Sequence, residues 1–391
     1  WVARMIMMGL TDTGDIPFHT IYLHGMIRDE KGDKMSKVRG NVLNPIDMME
    51  KYGTDALRFA LSTGTSPGND LKLSVSKLEA SRNFANKLWN ATRYVVRSLG
   101  SSEADLAIKP ETLPVEDRWI LSRQSRAISS VISLMEEFQF GEAQRQIHDF
   151  LWGDFCDWYI EFSKTRLRPG SETVSPLPVL NHVLESSLRL MHPYMPFITE
   201  ELWQNLREYL PSNQATEESI MIAAYPEADP AAIDPQAERI METIIEIIRA
   251  IRNVRAHHKV APDRWIEAQI YAGGLTPALA PYVETIQVLA RARPVTFLSE
   301  PQKGAADENK LVQVLKDAEV VIPLESMFDL ETEQQRLRKE IEQIESEITR
   351  LNARLANQSF LEKAPAAVVD KERRKLLDAN DKRARLKQQL P

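Results

Sequence analysis

GDKMSKVRGN, Gly32–Asn41, places Lys34, Lys37 and Arg39 in one short polar run bounded by Gly32 and Gly40. The chain around it is acidic, with 49 Lys and Arg against 56 Asp and Glu. Cations that close repel one another in a bare surface loop, and a bound polyanion turns that repulsion into attraction. The glycines let backbone approach a ligand closely. Ser36 adds a hydroxyl donor. Such a loop can surround a triphosphate and tighten as charge moves onto departing pyrophosphate. Interactions that strengthen in the transition state raise a rate rather than only aiding binding. A solvated charged turn is the other reading of these residues taken alone.

Outward from the loop, residues 1–77 read as mixed α/β. HTIYLHGMI, His19–Ile27, is mostly apolar and β-rich, which predicts a buried strand. Asn44–Ser62 predicts helix, with Pro45 near its start and a break at Gly53. From Ser81 to about Leu210 the pattern is helical. Phe84, Leu88, Ala91 and Val95 share one stripe, and amphipathic runs follow over Val115–Phe138, Gly141–Thr165 and Leu177–Leu210. RPGSETVSP and HPYMP break them, and the whole predicts a helical bundle. Residues 211–235, rich in Pro, Ala and polar groups, read as a connector. Ala237–His258 predicts a further helix. A small α/β segment comes next, with WIEAQIYA as strand, Pro277–Ala292 as helix, and PVTFLSE and AEVVIPLE as strands.

The last stretch changes character. Leu330, Leu337, Ile341, Ile344, Ile348, Leu351 and Leu355 form a coiled-coil seam that stops at ANQSF and resumes from about Val369. Two helices with a short break predict an antiparallel hairpin. From Thr332 onward 14 Lys and Arg face 10 Asp and Glu, so this arm is locally basic.

At 391 residues the chain predicts about two to four domains. No window approaches eighteen uninterrupted apolar residues, so no membrane span is expected. WVARMIMMGL lacks the cationic start and cleavage site of a signal peptide. Cys156 is the single cysteine, which excludes an intrachain disulfide and a multi-cysteine zinc site and fits a reducing cytoplasm. His257 and His258, adjacent on a helix, are expected to point apart, so no metal site is predicted.

HGMIRDEKGDKMSKVRGN, His24–Asn41, resembles the KMSKS loop region of the class I aminoacyl-tRNA synthetases. The resemblance implies that Lys37 contacts ATP, with Lys34 and Ser36 assisting, and that both lysines are catalytic. Val38 stands where the family has its final serine. His24 and Gly25 resemble strand-end residues near the adenosine; for His24 a satisfied buried histidine is the alternative. YGTDALRFALSTGTSPGNDLKLS is similar to the segment after that loop in the valyl, isoleucyl and leucyl group. SRNFANKLWNATRYV, EDRWILSR, FCDWYIEFSK and HPYMPFITEELW resemble the helical anticodon-binding domain of the same group. Trp89, Trp152, Trp158 and Trp203 within these read as packing residues. RLNARLANQSFLEKAPAAVVDKERRKL resembles the coiled-coil arm of the valyl branch.

The implied architecture is mixed. Residues 1–77 are the C-terminal part of a Rossmann-type α/β catalytic domain, 78–235 an all-α anticodon-binding bundle, 236–328 a helix plus a small α/β connecting domain, and 329–391 a coiled-coil tRNA-binding arm. The implied reaction joins valine to ATP, accompanied by Mg²⁺, and passes it to valine tRNA. Arg252, Arg255 and Lys259 are expected on one helix side along the RNA path. Lys363, Arg373, Arg374, Lys382 and Arg385 of the arm are expected at phosphates, or else serve as a solvated flank. Phe360 and Leu361 near the tip either pack on RNA or close the hairpin. No His-x-Gly-His motif and no editing segment occur in the sequence. The chain is therefore expected to need N-terminal catalytic and editing segments, to be inactive alone, and to lie in a cytoplasmic enzyme that is monomeric at full length. A non-catalytic tRNA-binding piece is the alternative.

Overall fold

A computed structural model describes residues 1–100, 106–168, 170, 173–209, 217–301, 309–327, 330–356, 369 and 374–383. The chain divides into two compact units, Trp1–Glu242 and Thr243–Pro391.

The first unit opens with α1, Val2–Thr13, which buries none of its side chains. Trp1, Met5, Met7 and Met8 are exposed. The next segment departs from expectation. His19–Ile27 is not a buried strand: only β1, Ile27–Arg28, is strand, and Ile21, Leu23 and Met26 are exposed. Pairing explains this. β1 is parallel to β2, Leu71–Lys72, and the same side of the chain is held through Leu23, Met26 and Arg28 carbonyls, which accept from Gly68, Leu71 and Leu73. Among the described residues this sheet has two strands, with one isolated bridge from Arg28 to Lys34 beside them, and of the segment's side chains Tyr22 reaches the Phe138 and Phe140 rings. A parallel strand becomes a buried one only with strands on both sides and layers over its faces.

Between β1 and β2 lie α2, Pro45–Tyr52, and α3, Thr54–Ser62. Asn44 caps α2 by accepting from Ile46 N, and Gly53, at φ 96°, makes the predicted break. Tyr52, Ala56, Leu57, Ala60, Leu73 and Leu78 form a local core, against which Met35 and Leu43 pack from the two ends of the lysine loop.

α4, Val75–Gly100, starts earlier than the Ser81 predicted and buries Leu78, Phe84, Leu88, Ala91, Val95 and Leu99. α5, Val115–Glu136, packs on α6, Phe140–Asp149, which continues through a π-helical stretch, Phe150–Tyr159, into α7, Ile160–Arg166. α8, Leu177–Met191, and α9, Pro196–Arg207, complete the bundle. Its polar centre is Asp117. Arg166 grips both carboxylate oxygens at 2.5 and 2.9 Å, and Tyr159 donates at 2.7 Å. Two contacts weld α3 to the bundle. Gln144 donates to Phe59 O at 2.9 Å and Thr63 Oγ1 at 2.7 Å. At Gly141 a Cβ would lie 2.3 Å from Thr65 O, so only glycine lets α6 come this close.

Trp158 and Trp203 are buried as expected. Trp89 is instead 40% exposed, and Trp152 is half-buried under Lys87, whose Nζ stands 3.8 Å from the ring centroid. Trp89 lies off the apolar stripe that faces the core, whereas Trp152 still packs, its ring 6.3 Å from that of the buried Phe84.

α10, Pro235–His257, contains the division between units. In the second unit its Ile244, Ile248, Ile251 and Val254 are buried. The sheet order is β4-β3-β6-β5, with β3 Ile266–Tyr271, β4 Ala292–Phe297, β5 Lys310–Val314 and β6 Glu319–Pro323. β3 and β4 are parallel, and the other pairs antiparallel. The helix predicted over Pro277–Ala292 is two pieces, α11, Thr276–Leu279, and α12, Val283–Ala290. Sequence reading missed β5: it is an edge strand with no fully buried residue, so it lacks the apolar alternation that marks a strand. α13, Leu324–Met327, leads to α14, Leu330–Ala356, where Ile341, Ile344, Ile348 and Leu351 are buried, as is Val369. Residues 374–383 are helical. Among the described residues no helix is long and apolar enough to cross a membrane.

Candidate nucleotide loop and nucleic-acid surface

The lysine loop is built around Asn41 and Asp29. Asp29 Oδ1 accepts from Asp33 N at 2.7 Å, and its Oδ2 accepts from Asn41 Nδ2 at 2.8 Å. Asn41 turns back on the loop: its Nδ2 reaches Lys34 O at 3.3 Å, and its Oδ1 accepts from Ser36 N at 2.9 Å. One side chain therefore ties two points of backbone and the Asp29 carboxylate. Gly32 and Gly40 take φ of 90° and 69°, which only glycine adopts freely. Hydrogen bonds, Asn41 first and then the Asp33 amide, hold the Asp29 carboxyl below its usual range.

This bracing points cations outward. Lys34, Lys37 and Arg39 are exposed, and Val38 at the tip is 98% exposed. Ser36 is half-buried and accepts from Arg39 N at 3.3 Å, leaving its hydroxyl proton to donate elsewhere. Arg39 lies 3.8 Å from Asp33, a loose surface pair that costs little to break. The structure thus brings Lys34, Ser36 and Lys37 into one braced loop. Asn41 and Asp29 are the residues sequence reasoning missed here. Their sign was available: a Gly-Asn pair closes the loop that a carboxylate opens.

The loop's entry is also fixed. Asp70 accepts from Met26 N at 2.8 Å and pairs with Arg28, interactions that hold its carboxyl below the usual range. Gly25 permits the join, since a Cβ there would lie 1.8 Å from Asn69 O. His24 is exposed in this chain, and its Nδ1 lies 2.9 Å from Gly25 O.

The second unit corrects the cationic helix. Arg252 is exposed and donates from Nε to Leu289 O at 2.8 Å. Arg255 does not share that face. It is 8% exposed, and its guanidinium donates to Arg264 O at 2.8 Å, Ala261 O at 3.0 Å and Arg291 O at 3.1 Å. Burial, then repulsion from Arg291, depresses its pKa. Its guanidinium is engaged as a bracket for backbone. Lys259 lies beyond the helix at φ 51°, so helical spacing does not place it either. The same turn undoes the expectation that the histidines point apart: the His257 and His258 rings sit 5.0 Å from each other. Arg374 and Lys382 are exposed on the helix over 374–383. Lys363, Arg373, Arg385, Phe360 and Leu361 lie outside the described residues.

Comparison with known proteins matches three family models. Residues 1–74 match tRNA synthetases class I (I, L, M and V), 117–270 the anticodon-binding domain of tRNA ligase, and 329–391 the valyl tRNA synthetase tRNA binding arm. The valine–tRNA ligase of Dehalococcoides mccartyi strain CBDB1 is 55% identical over 388 residues, covering 99% of this chain and 44% of that protein. Those of Listeria innocua and Carboxydothermus hydrogenoformans are 40% and 42% identical, covering 98% and 96% of this chain and 43% and 42% of the relatives. The chain spans less than half the length of the curated relatives it matches.

Proposed function

The chain belongs to the valine–tRNA ligases of class I, and we propose that it supplies their nucleotide-phosphate loop and their grip on valine tRNA. The carrying observation is the braced loop with Lys34 and Lys37 exposed, in a chain similar along nearly its whole length to such ligases. In this reading residues 1–77 are part of a Rossmann-type catalytic domain, 78–235 the anticodon-binding bundle, 236–328 a connecting domain and 329–391 a coiled-coil arm.

The reaction forms a bond from the valine carboxylate to the α-phosphate of ATP and releases pyrophosphate; the terminal ribose hydroxyl of the tRNA then takes the valyl group and AMP leaves. Lys37 and Lys34 meet the phosphates. Their charge offsets the negative charge that grows on the leaving group, and neither acts as a base. Ser36 donates to a phosphate oxygen, and His24 and Gly25 lie on the adenosine side. In this reading Mg²⁺ enters on the ATP phosphates. Arg252, Lys259 and the arm cations lie on the RNA path, and the enzyme works in the cytoplasm.

α1, with no buried residue, and the exposed Ile21, Leu23 and Met26 favour one refinement: the chain alone binds RNA without activating valine. Valine-dependent ATP–pyrophosphate exchange by the 391-residue chain would refute it. In an enzyme of the relatives' full length, Lys37→Ala slows adenylate formation by roughly ten- to a thousandfold, about 1.4–4 kcal/mol, with tRNA affinity retained. Equal single-turnover rates for variant and parent would remove the role given to Lys37.

A further inference from the structure

In the second unit α12 is capped by Arg291, a side-chain-bearing residue held at φ 55°, and β4 starts at the next position. That turn carries Arg291 and Arg293 to one indole. Their guanidinium carbons stand 5.7 and 5.0 Å from the Trp265 ring centroid, within the range of cation–π attraction. All three side chains are exposed. Trp265, directly before β3, is 39% exposed although its neighbour Ile266 is fully buried.

Arg255 explains how the cluster holds its shape. Its Nη1 donates both to Arg264 O, one residue before Trp265, and to Arg291 O. A single buried guanidinium thus clamps the two backbone segments that meet here. Arg252 adds a third tie through Leu289 O. The charge leans strongly one way. Residues 249–267 and 284–297 carry seven cations, Arg249, Arg252, Arg255, Lys259, Arg264, Arg291 and Arg293, against three carboxylates, Asp263, Glu267 and Glu284. In a chain with more acids than bases, this concentration marks a place for an anion.

Nucleobases stack on aromatic rings and on arginine planes, and phosphates pair with the cations beside them. We propose that Trp265, Arg291 and Arg293, positioned by Arg255, form an RNA-stacking platform that takes an unpaired nucleotide, with Arg252 and Lys259 at neighbouring phosphates. That the RNA is valine tRNA rests on the function proposed above; the platform itself does not.

The test uses the full chain and fluorescence anisotropy across a salt series. The probes are a labelled valine tRNA transcript, a transcript of another tRNA, and an unstructured oligo(U) of about twelve nucleotides. Joint Arg291→Ala and Arg293→Ala substitution weakens binding at least tenfold and lowers the salt slope by about 1–2. Trp265→Ala weakens binding by roughly five- to a hundredfold with the slope kept, and Trp265→Phe restores most of it. Thermal melts check folding, and Arg291→Gln with Arg293→Gln decides if the alanine pair melts early. Native melts with parental affinity and slope for every probe overturn the platform, as does a parent chain that binds none of the three. Valine tRNA bound through other residues overturns the platform and leaves the proposed function standing. Platform-dependent binding of oligo(U) and of both tRNAs alike keeps the platform and removes the valine assignment.

Discussion

Asn41 holds Asp29, Lys34 and Ser36 of the lysine loop directly and, through Ser36, Arg39 at one remove. Lys37 alone at the loop's crest depends on the backbone turn, its carbonyl accepting from Gly40 N at 3.3 Å. The loop is therefore braced at its base and open at its cations, which suits a group that must meet phosphate without rearranging far. Asn41→Ala removes the brace and leaves the charges. Limited trypsin cleavage after Lys34, Lys37 and Arg39 then accelerates several-fold while the thermal midpoint stays near that of the parent. An unchanged cleavage rate would show that the glycines and the Met35 and Leu43 anchors suffice. The basic pattern of the loop was legible in sequence because charge and spacing are local properties. Its bracing was not, because Asp29 and Asn41 meet only once the chain folds back.

At the scale of elements, polar pairs join helices that apolar stripes alone would let slide. Arg166 on α7 and Asp117 on α5 are both buried, and Glu116 lies 3.2 Å from the same guanidinium. Burial costs both partners solvation, so removing one leaves the other exposed to the full penalty. Arg166→Met should lower the unfolding free energy by about 3–5 kcal/mol in denaturant titration, and a loss under about 1 kcal/mol would mean that water reaches Asp117. The turn between α8 and α9 carries a pH response. Thr199 uses its hydroxyl proton on Met195 O at 2.8 Å, so His192 Nδ1–H, 2.8 Å away, is the donor to Thr199 Oγ1. Burial lowers the pKa of His192, against the pull of Glu200 and Asp55. A histidine whose folded pKa is depressed adds stability that is complete above its ordinary value of about 6.5 and is lost as pH falls through the folded value. The urea midpoint should drop between about pH 7.5 and about pH 5.5, and His192→Gln should flatten that slope. Identical pH profiles would assign the slope to other groups. The helical runs over Val115–Glu136 and Leu177–Met191 were legible from periodicity. The π-helical passage between α6 and α7, where Phe150, Phe155 and Tyr159 are buried, was not, since an apolar run carries no local mark that separates a π turn from an α turn.

For the whole molecule, tRNA affinity in the proposed function is shared among several surfaces, and their contributions should come apart. Deleting residues from Asp329 onward in an enzyme of the relatives' full length weakens tRNA binding and flattens its salt dependence, while valine-dependent exchange is spared. Unchanged Kd and salt slope would make the arm a structural appendage. Sequence by itself determined the helical periodicities, the lysine loop and the basic tail, because each is written in residues close together along the chain. Tertiary structure decided the rest. It buried Arg255 under three carbonyls and set Arg291 and Arg293 against Trp265. It also left His19–Met26 outside any sheet. The physical reason is common to all three. Whether a cation faces solvent or a strand is buried depends on partners distant in sequence, and local pattern records a residue's own chemistry but not who will stand beside it.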